Sequence, residues 1–178
     1  LINGGIEVCV SNPGTSEMHM VAAIGKSSKM RSILSLFEGV CSGAADGYAR
    51  MAGKPALTLL HLGPGLSNAS ANLHNARKAR SPVINLIGDH ATYHKQYDAP
   101  LNSDVIGLSG PVSHWVRSVE SAEALPGDTA EAVQAAMLRP GQIATLIIPA
   151  DCAWDPSGEP VGALPIPEDG IAHSEAIE

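Results

Sequence analysis

The chain has 178 residues, of which 44% are hydrophobic and 3% aromatic, and its formal net charge is −7. This length suits one α/β domain with a substantial core and is too short for two large domains. The acidic balance leaves no basic face to attract a phosphate backbone, so we expect no nucleic-acid partner.

Six short β-branched or aliphatic runs recur along the chain, separated by segments long enough for helices. The runs cover residues 6–10, 32–37, 56–62, 83–89, 114–119 and 143–149. Strands that alternate with helices predict a three-layer α/β fold, in which a mostly parallel six-stranded sheet carries helices on both faces. Small aliphatic side chains suit the close packing of helices on such a sheet.

Helix start and stop signals lie between these runs. The first helix opens with Thr15 or Ser16 as its cap and has Glu17 early in its first turn, and the second helix ends on Gly53. The predicted helices cover residues 15–27, 38–53, 67–80 and 121–138, the last being the final helix of the fold. The longest irregular connection covers residues 88–110, a length typical of functional or interfacial loops.

The two ends of the chain carry different signals. Leu1 already stands in the run toward the first strand, so we expect an upstream piece to be missing and the sequence to be a fragment. Residues 1–155 form the predicted domain, and residues 156–178, rich in Pro and Gly with little periodicity, form a predicted linker toward an absent central domain.

Cysteine usage and hydropathy bear on the compartment. Cys9, Cys41 and Cys152 are odd in number, widely spaced and outside any zinc-binding pattern, which predicts reduced, buried thiols of a cytoplasmic protein. No apolar stretch approaches the roughly 20 residues that span a bilayer, and the N-terminal residues lack a signal pattern. We therefore expect no membrane association.

Three strand-to-helix turns have an unusual composition. They are SNPGTSE (residues 11–17), FEG (37–39) and HLGPGLSN (61–68). In a parallel sheet these turns lie side by side at the carboxyl edge, where ligands bind in open α/β folds. Gly14, Gly63 and Gly65 let the backbone approach a ligand, and Pro13 and Pro64 stiffen the turns, so the rim suits a flat ring. Tight connections without a ligand are the alternative interpretation.

Two side chains in these turns have both a structural and a functional interpretation. Glu38 is a lone carboxylate at the start of the second helix, where the dipole and the free N–H groups favour an acid as a cap. His61 ends a strand that should be buried, so it is either a hydrogen-bonded core histidine or an acid/base or substrate-contacting group.

Other motifs favour the structural interpretation. GPGLSN approaches a dinucleotide fingerprint, with Asp89 as the acid, but Asn68 replaces the final Gly or Ala and the first turn lacks the motif. GLSNA approaches a nucleophile elbow, but a Gly-Pro-Gly sequence separates it from its strand. His90 and His94 have a metal-compatible spacing, yet solvated loop histidines are favoured, and we predict no metal ligands.

Four segments carry a recognisable combination of motifs: SNPGTSE, FEGVCSGAADGYARMAGKPA, HLGPGLSNASANLHNARKARSPVINLIGD and RPGQIATLIIPAD. Together they resemble the pyrimidine-binding (PYR) domain of thiamine diphosphate enzymes, in the group of acetolactate synthase, pyruvate oxidase and benzoylformate decarboxylase. They occur in the family's order and spacing across residues 5–155. The whole string most resembles acetolactate synthase large subunits, although those usually have Thr at the position of His61 and Gln at that of Asp89.

The resemblance implies a role for Glu38. In the family, the glutamate at this position hydrogen-bonds a ring nitrogen of the aminopyrimidine and drives it toward its imino tautomer. The exocyclic nitrogen then removes the proton of the thiazolium carbon, and the resulting ylid attacks a 2-keto acid. A sheltered carboxylate suits this relay because a water-poor interface strengthens its interaction with the ring nitrogen.

The resemblance also implies roles for the neighbouring residues. Pro13 and Gly14 would border the cofactor, and Pro64, Gly65 and Asn68 would lie along its pyrimidine side. His61 occupies the position of an active-site histidine in benzoylformate decarboxylase-like members, and Thr15 is a candidate substrate contact.

The family's metal site lies elsewhere. Members hold the diphosphate through Mg²⁺ bound by a GDG…N stretch in a separate domain, and no GDG triplet occurs in these 178 residues. Each cofactor of the family lies between the PYR domain of one subunit and the diphosphate-binding domain of another. The resemblance therefore implies a homodimer or homotetramer, with this chain supplying half of each site.

The sequence thus predicts the cofactor-activating domain of an enzyme that carries out carboligation or decarboxylation of 2-keto acids, incomplete and inactive by itself. A non-catalytic α/β module that keeps the fold for assembly or regulation is the alternative. A nicotinamide-dependent dehydrogenase is a third, less favoured, interpretation.

Overall fold

Six parallel strands form the centre of the fold in the computed structural model, which describes residues 1–167. The strands are β1 (Val8–Asn12), β2 (Arg31–Leu34), β3 (Ala56–His61), β4 (Val83–Asp89), β5 (Trp115–Ser118) and β6 (Ile143–Pro149). Their order across the sheet is β2-β1-β3-β4-β6-β5, and every neighbouring pair is parallel. The predicted α/β sheet is confirmed.

Helices cover both faces of this sheet. The α-helices of the described residues are α1 (Met18–Gly25), α2 (Glu38–Ala52), α3 (Leu62–Lys78), α4 (Val105–Ser109), α5 (Leu125–Met137) and α6 (Ala150–Trp154). One hydrophobic core packs the sheet against α1, α5 and α6, and a second packs it against α2, α3 and α4. The alternation of side chains along a strand produces the two cores: Leu59 enters the first and Leu60 the second.

Small residues bring α2 and α3 together. Cys41 and Ala45 of α2 and Ala69 of α3 are fully buried, which allows the two backbones to approach closely. Ser42 Oγ donates a hydrogen bond to the carbonyl oxygen of Ala69 at 2.9 Å. Asn72 Nδ2 donates to the carbonyl oxygen of Gly39 at 2.7 Å. These cross-links fix α3 against the first turn of α2.

A line of polar side chains crosses the middle of the sheet. Thr58 Oγ1 donates to Asn85 Oδ1 at 2.7 Å, and Asn85 Nδ2 donates to Thr145 Oγ1 at 2.9 Å. Ser113 Oγ lies 2.7 Å from Thr145 Oγ1. All four residues are buried, so each bond satisfies a group that water cannot reach. The line joins β3, β4 and β6 in a single register.

The structure differs from the sequence expectations at several boundaries. The Gly-Pro-Gly sequence is the first turn of α3, which begins at Leu62 rather than at residue 67. Pro64 is tolerated there because the first turn of a helix needs no donor from its backbone nitrogen. The helix over residues 121–138 is not the final one, since the short α6 follows β6, and α4 lies within the connection predicted to be irregular.

The segment after α6 contains no helix or strand up to residue 167. It contacts the domain: Asn3 Nδ2 donates to the carbonyl oxygen of Val161 at 3.4 Å, and Gln134 Nε2 donates to that of Pro165 at 2.6 Å. Residues 168–178 of the predicted linker lie outside the described residues. The linker and the domain boundary stay predictions.

The prediction of reduced, buried cysteines is confirmed within the fold. Cys9, Cys41 and Cys152 are free and buried. Burial, with a smaller contribution from Cys41, raises the pKa of the Cys9 thiol to about 12. Across residues 1–167, none of the helices has the length and apolar character needed to cross a membrane.

Candidate functional site

The three unusual turns meet at one edge of the sheet, as predicted. They follow β2, β1 and β3, which are neighbours in the order β2-β1-β3. The chain leaves β1 toward one face of the sheet through α1 and leaves β3 toward the other through α3. Such a divergence of connections opens a crevice at the carboxyl ends of the two strands, where ligands bind in doubly wound folds.

Glu38 is the first residue of α2 and is partly buried. Its Oε2 atom accepts a hydrogen bond from Asn68 Nδ2 of α3 at 2.9 Å. The N-cap residue, Phe37, forms no side-chain hydrogen bond to the start of α2. Within the described part of the chain, the Glu38 carboxylate is bonded to the neighbouring helix, and its place in the first turn of α2 also suits the helix dipole.

Gly65 of α3 lies beside this carboxylate. A Cβ atom added at Gly65 would lie 3.4 Å from the carbonyl carbon of Leu60 and 3.6 Å from Glu38 Oε1. A larger residue would fill the space beside the carboxylate. Among residues 1–167 no side chain or N–H group donates to Glu38 Oε1, so this oxygen is available to a ligand.

His61 lies at the end of β3 and forms a second cluster with Gly14 and Glu17. His61 Nδ1 is 2.8 Å from Glu17 Oε2, and the backbone N–H of Gly14 donates to the same oxygen at 2.6 Å. A Cβ atom added at Gly14 would lie 2.4 Å from His61 Nδ1, so the ring packs directly against the glycine backbone. The side chain of His61 keeps 20% of its exposure.

Glu17 is the functional candidate that sequence reasoning missed. Its side chain is completely buried, and its Oε1 atom has no hydrogen-bond partner among residues 1–167. Burial raises the pKa of Glu17, against the opposing effects of the Gly14 N–H and of His61. In the sequence, the position of Glu17 in the first turn of the predicted helix indicated a helix-capping acid. Its pairing with His61 becomes visible only in the structure, where β1 and β3 are neighbours.

The remaining predicted residues lie at the same edge. Pro13 is partly buried, and Thr15 and Pro64 are exposed. Asp89 is buried at the end of β4, where it pairs with Lys95 at 2.6 Å and accepts from the backbone N–H of His90 at 2.8 Å. These contacts give Asp89 a local structural role in place of the ribose contact that a dinucleotide site would need.

The metal-compatible histidines contact each other without forming a cluster. The His90 and His94 rings lie 5.4 Å apart, edge to face. In the part of the chain that the structure describes, no three side chains of metal-ligating type are grouped closely enough to hold an ion.

The site as a whole contains two carboxylates with different surroundings. Glu38 is anchored through one oxygen, and its other oxygen is accessible, which suits a hydrogen bond to a ligand ring. Glu17 is buried and forms a hydrogen bond with the partly exposed His61. A carboxylate and an imidazole at one edge provide two groups that can hold or exchange protons.

The chain is similar to several known proteins. The family model "Thiamine pyrophosphate enzyme, N-terminal TPP binding domain" matches residues 1–109. A Mycobacterium tuberculosis protein named as a candidate acetolactate synthase large subunit, IlvX, is 58% identical over 93% of the chain and 32% of its own length. Benzoylformate decarboxylase of Pseudomonas aeruginosa is 32% identical over 83% of the chain and 28% of its own length.

Solved structures give the same result. A candidate thiamin diphosphate-dependent enzyme of Mycobacterium smegmatis superimposes with a TM-score of 0.87 at 30% identity, covering 94% of the chain and 32% of that enzyme. The chain thus spans about a third of the length of the relatives it matches.

Proposed function

Because the chain belongs to the thiamine pyrophosphate enzyme family, through the N-terminal TPP-binding domain of that family, we propose that Glu38 activates thiamine diphosphate for reactions of 2-keto acids. The observation that carries this proposal is the state of the Glu38 carboxylate: Asn68 occupies Oε2 at 2.9 Å, and Oε1 is open at the carboxyl edge of the sheet.

The residues present fit the pyrimidine end of this cofactor. The space beside Glu38 Oε1 would be filled by a Cβ atom at Gly65. Glu38 would hold a ring nitrogen through Oε1, with a proton shared at that atom, while Asn68 keeps the carboxylate from rotating. Pro13, Gly14 and Pro64 would border the ring. Thiamine diphosphate, when bound, supplies the nucleophilic carbon that the protein lacks.

His61 and Thr15 are the proposed substrate contacts. His61 is partly exposed, is held by Glu17 and lies against Gly14 at the edge that also carries Glu38. Thr15 is exposed in the turn that follows β1. The similarity to benzoylformate decarboxylase supports a 2-keto acid as the substrate class, and the similarity to acetolactate synthases supports carboligation as the other reaction type.

The remaining part of the cofactor site must come from elsewhere. Mg²⁺ and the diphosphate would be bound by a second domain, since these 178 residues contain no GDG triplet. The 178-residue chain alone is therefore expected to bind thiamine diphosphate weakly and to show no turnover. Measurable 2-keto acid decarboxylation by the purified chain would contradict this expectation.

An apolar surface beside Glu38 supports a partner subunit. Leu34, Leu36, Phe37 and Val40 are 70%, 94%, 49% and 55% exposed, which is unusual for four large side chains in seven residues. We assign this surface to contact with a second copy of the full-length protein, as a homodimer or homotetramer whose other subunit contributes the diphosphate-binding domain. The three free cysteines fit a reducing compartment such as the cytoplasm.

The oligomer can be tested by light scattering on the full-length protein. Leu36→Asp is expected to lower the molar mass of the assembly, because it places a charge in the apolar surface. Ile106→Asp, at a 58% exposed residue of α4, is the matched control and should leave the mass unchanged. A monomeric parent protein, or an unchanged mass for Leu36→Asp, would contradict the assignment.

The function is tested by Glu38→Gln in the full-length protein, assayed for thiamine diphosphate-dependent conversion of 2-keto acids. The turnover number should fall about 10²- to 10⁴-fold, the usual contribution of a proton-transferring group, with the fold unchanged by circular dichroism. Glu7→Gln is the matched control, since Glu7 pairs with Lys54 at 2.6 Å next to the amino end of β1. Equal turnover in Glu38→Gln and the parent would favour the non-catalytic assembly module.

A further inference from the structure

The side chain of Glu17 is enclosed by two glycines. Its Oε2 atom receives the backbone N–H of Gly14 at 2.6 Å, and a Cβ atom at Gly88 would lie 1.7 Å from its Oε1 atom. The carboxylate thus occupies space that exists because Gly88 has no side chain, whereas the space at Gly14 is occupied by the His61 ring. The Glu17 carboxylate is therefore held in a fixed, buried position, although it lies in a turn near the surface.

This burial is costly for the fold. The side chain of Glu17 has no exposed surface, and its Oε1 atom lacks a hydrogen-bond partner among residues 1–167. A buried carboxylate oxygen without a donor costs free energy that an apolar residue would avoid. A helix cap does not need this position, because an exposed acid can accept the N–H of Gly14 equally well.

The contact that explains the burial is the one with His61. Glu17 Oε2 lies 2.8 Å from His61 Nδ1, 44 residues away in sequence. When Glu17 is ionised, its carboxylate can only accept a hydrogen bond, so the imidazole carries a proton on Nδ1. In the neutral imidazole the other nitrogen, Nε2, then has a free lone pair, and no described residue donates to it.

We propose that Glu17 is a positioning residue that fixes the Nδ1–H tautomer and the ring orientation of His61, so that Nε2 is available as a proton acceptor at the site. This inference rests on the proposed function, in which His61 contacts the 2-keto acid. Gly14 completes the arrangement, because its backbone supports the ring and its N–H orients the carboxylate.

The tautomer can be measured without any turnover. Histidine side chains labelled with ¹⁵N are observed by NMR in the 178-residue chain at pH 8, and His61→Gln identifies the His61 signals. The parent chain should show Nδ1 as the protonated nitrogen of His61. Glu17→Ala should abolish this preference, whereas Glu7→Ala, which removes an exposed acid, should leave the His61 signals unchanged.

Glu17→Gln separates positioning from charge and guards against misfolding of Glu17→Ala. Its amide oxygen can still accept from Gly14 and from Nδ1–H, so the tautomer should be largely retained. In the full-length protein, kcat should fall about 10- to 100-fold in Glu17→Ala and less in Glu17→Gln.

Each contrary result has a distinct meaning. A parent chain with the proton on Nε2 of His61, or a tautomer unaffected by Glu17→Ala, would overturn the positioning role. Loss of turnover in His61→Ala with full turnover in Glu17→Ala would overturn it as well. Failure of the proposed function itself would instead be seen as full turnover in Glu38→Gln.

Discussion

Asn68 of α3 donates a hydrogen bond to Glu38 of α2 at 2.9 Å. The bond joins two helices that follow different strands of the sheet, β3 and β2. The bond constrains the rotation of the carboxylate about its side-chain torsions. It also leaves Oε1 open to the proposed ligand. The proposed activity of Glu38 therefore depends on Asn68, a residue whose own side chain does not gain or lose a proton.

Replacement of Asn68 tests this dependence. Asn68→Ala should lower kcat/KM of the full-length protein about tenfold or more, because the carboxylate is no longer held in one orientation and misplacement of a reacting group is costly. The unfolding free energy should change little, since Asn68 is exposed. Steady-state kinetics measures the effect, and Asn75→Ala, at an exposed position of the same helix, is the control. Wild-type kinetics in Asn68→Ala would show that the carboxylate needs no anchor.

Gly88 should tolerate no side chain while Glu17 is present. Gly88→Ala places a Cβ atom 1.7 Å from Glu17 Oε1 and should destabilise the chain by about 1–3 kcal/mol, as overpacking does. Urea denaturation measures the change. Gly47→Ala in the exposed part of α2, where a Cβ atom meets nothing within 4 Å, should be neutral or stabilising.

The same substitution in a Glu17→Ala background isolates the contact. There the cost of Gly88→Ala should largely disappear, because the colliding carboxylate is absent. Additive effects of the two substitutions would mean that Gly88 is required for another reason.

The polar line through the sheet should be sensitive to loss of one member. Thr58→Val keeps the shape of the side chain but leaves Asn85 Oδ1 without its donor at a fully buried position. We expect a loss of about 1–3 kcal/mol in unfolding free energy, measured by urea denaturation. The double variant Thr58→Val/Asn85→Leu should cost less than the sum of its single changes, since fewer unpaired polar groups remain; a simple sum would contradict the network.

Asp46 should make stability depend on acid pH. Burial alone would raise the pKa of Asp46, but hydrogen bonds from Arg50 at 2.8 Å and from Ser81 outweigh it and hold the pKa below its usual range. The carboxylate binds fewer protons in the folded than in the unfolded chain, so its stabilisation is complete above pH 4 and is lost as the pH falls through the lowered folded pKa.

Urea midpoints measured between pH 6 and pH 2.5 test this assignment. Asp46→Asn should lower the midpoint near neutral pH and remove part of the acid dependence. Asp98→Asn, in an exposed loop, is the control and should keep the parent profile. Parallel profiles for the parent and Asp46→Asn would show that other carboxylates cause the acid loss.

The sequence was sufficient to predict which turns meet. Runs of β-branched residues between helical segments predicted a parallel sheet, and the carboxyl edge of such a sheet collects the strand-to-helix turns. Glu38, His61 and Asn68 were therefore predicted to share an edge, and they do. Their catalytic and binding roles stay predictions that the experiments above address.

The pairing of Glu17 with His61 could not be predicted from local pattern. The two residues are brought together only by the adjacency of β1 and β3, and the space for the carboxylate depends on Gly88 of the more distant strand β4. The start of α3 was also placed wrongly, because Gly-Pro-Gly is typical of loops. In the first turn of a helix the same three residues cost little, since the N–H groups there have no partner in the helix.

Leu62 has a backbone φ of 43°, and its left-handed conformation turns the chain from β3 into α3 with no intervening loop. The connection between His61 and Gly65 therefore has a fixed length, because any added or deleted residue would shift either β3 or α3. An insertion or deletion here would move the proposed substrate contact at His61 away from the proposed cofactor contact at Gly65, whereas an exchange of side chains would keep their separation. An engineer who wishes to alter specificity should randomise positions 15 and 61 and keep residues 62–65 at their native length.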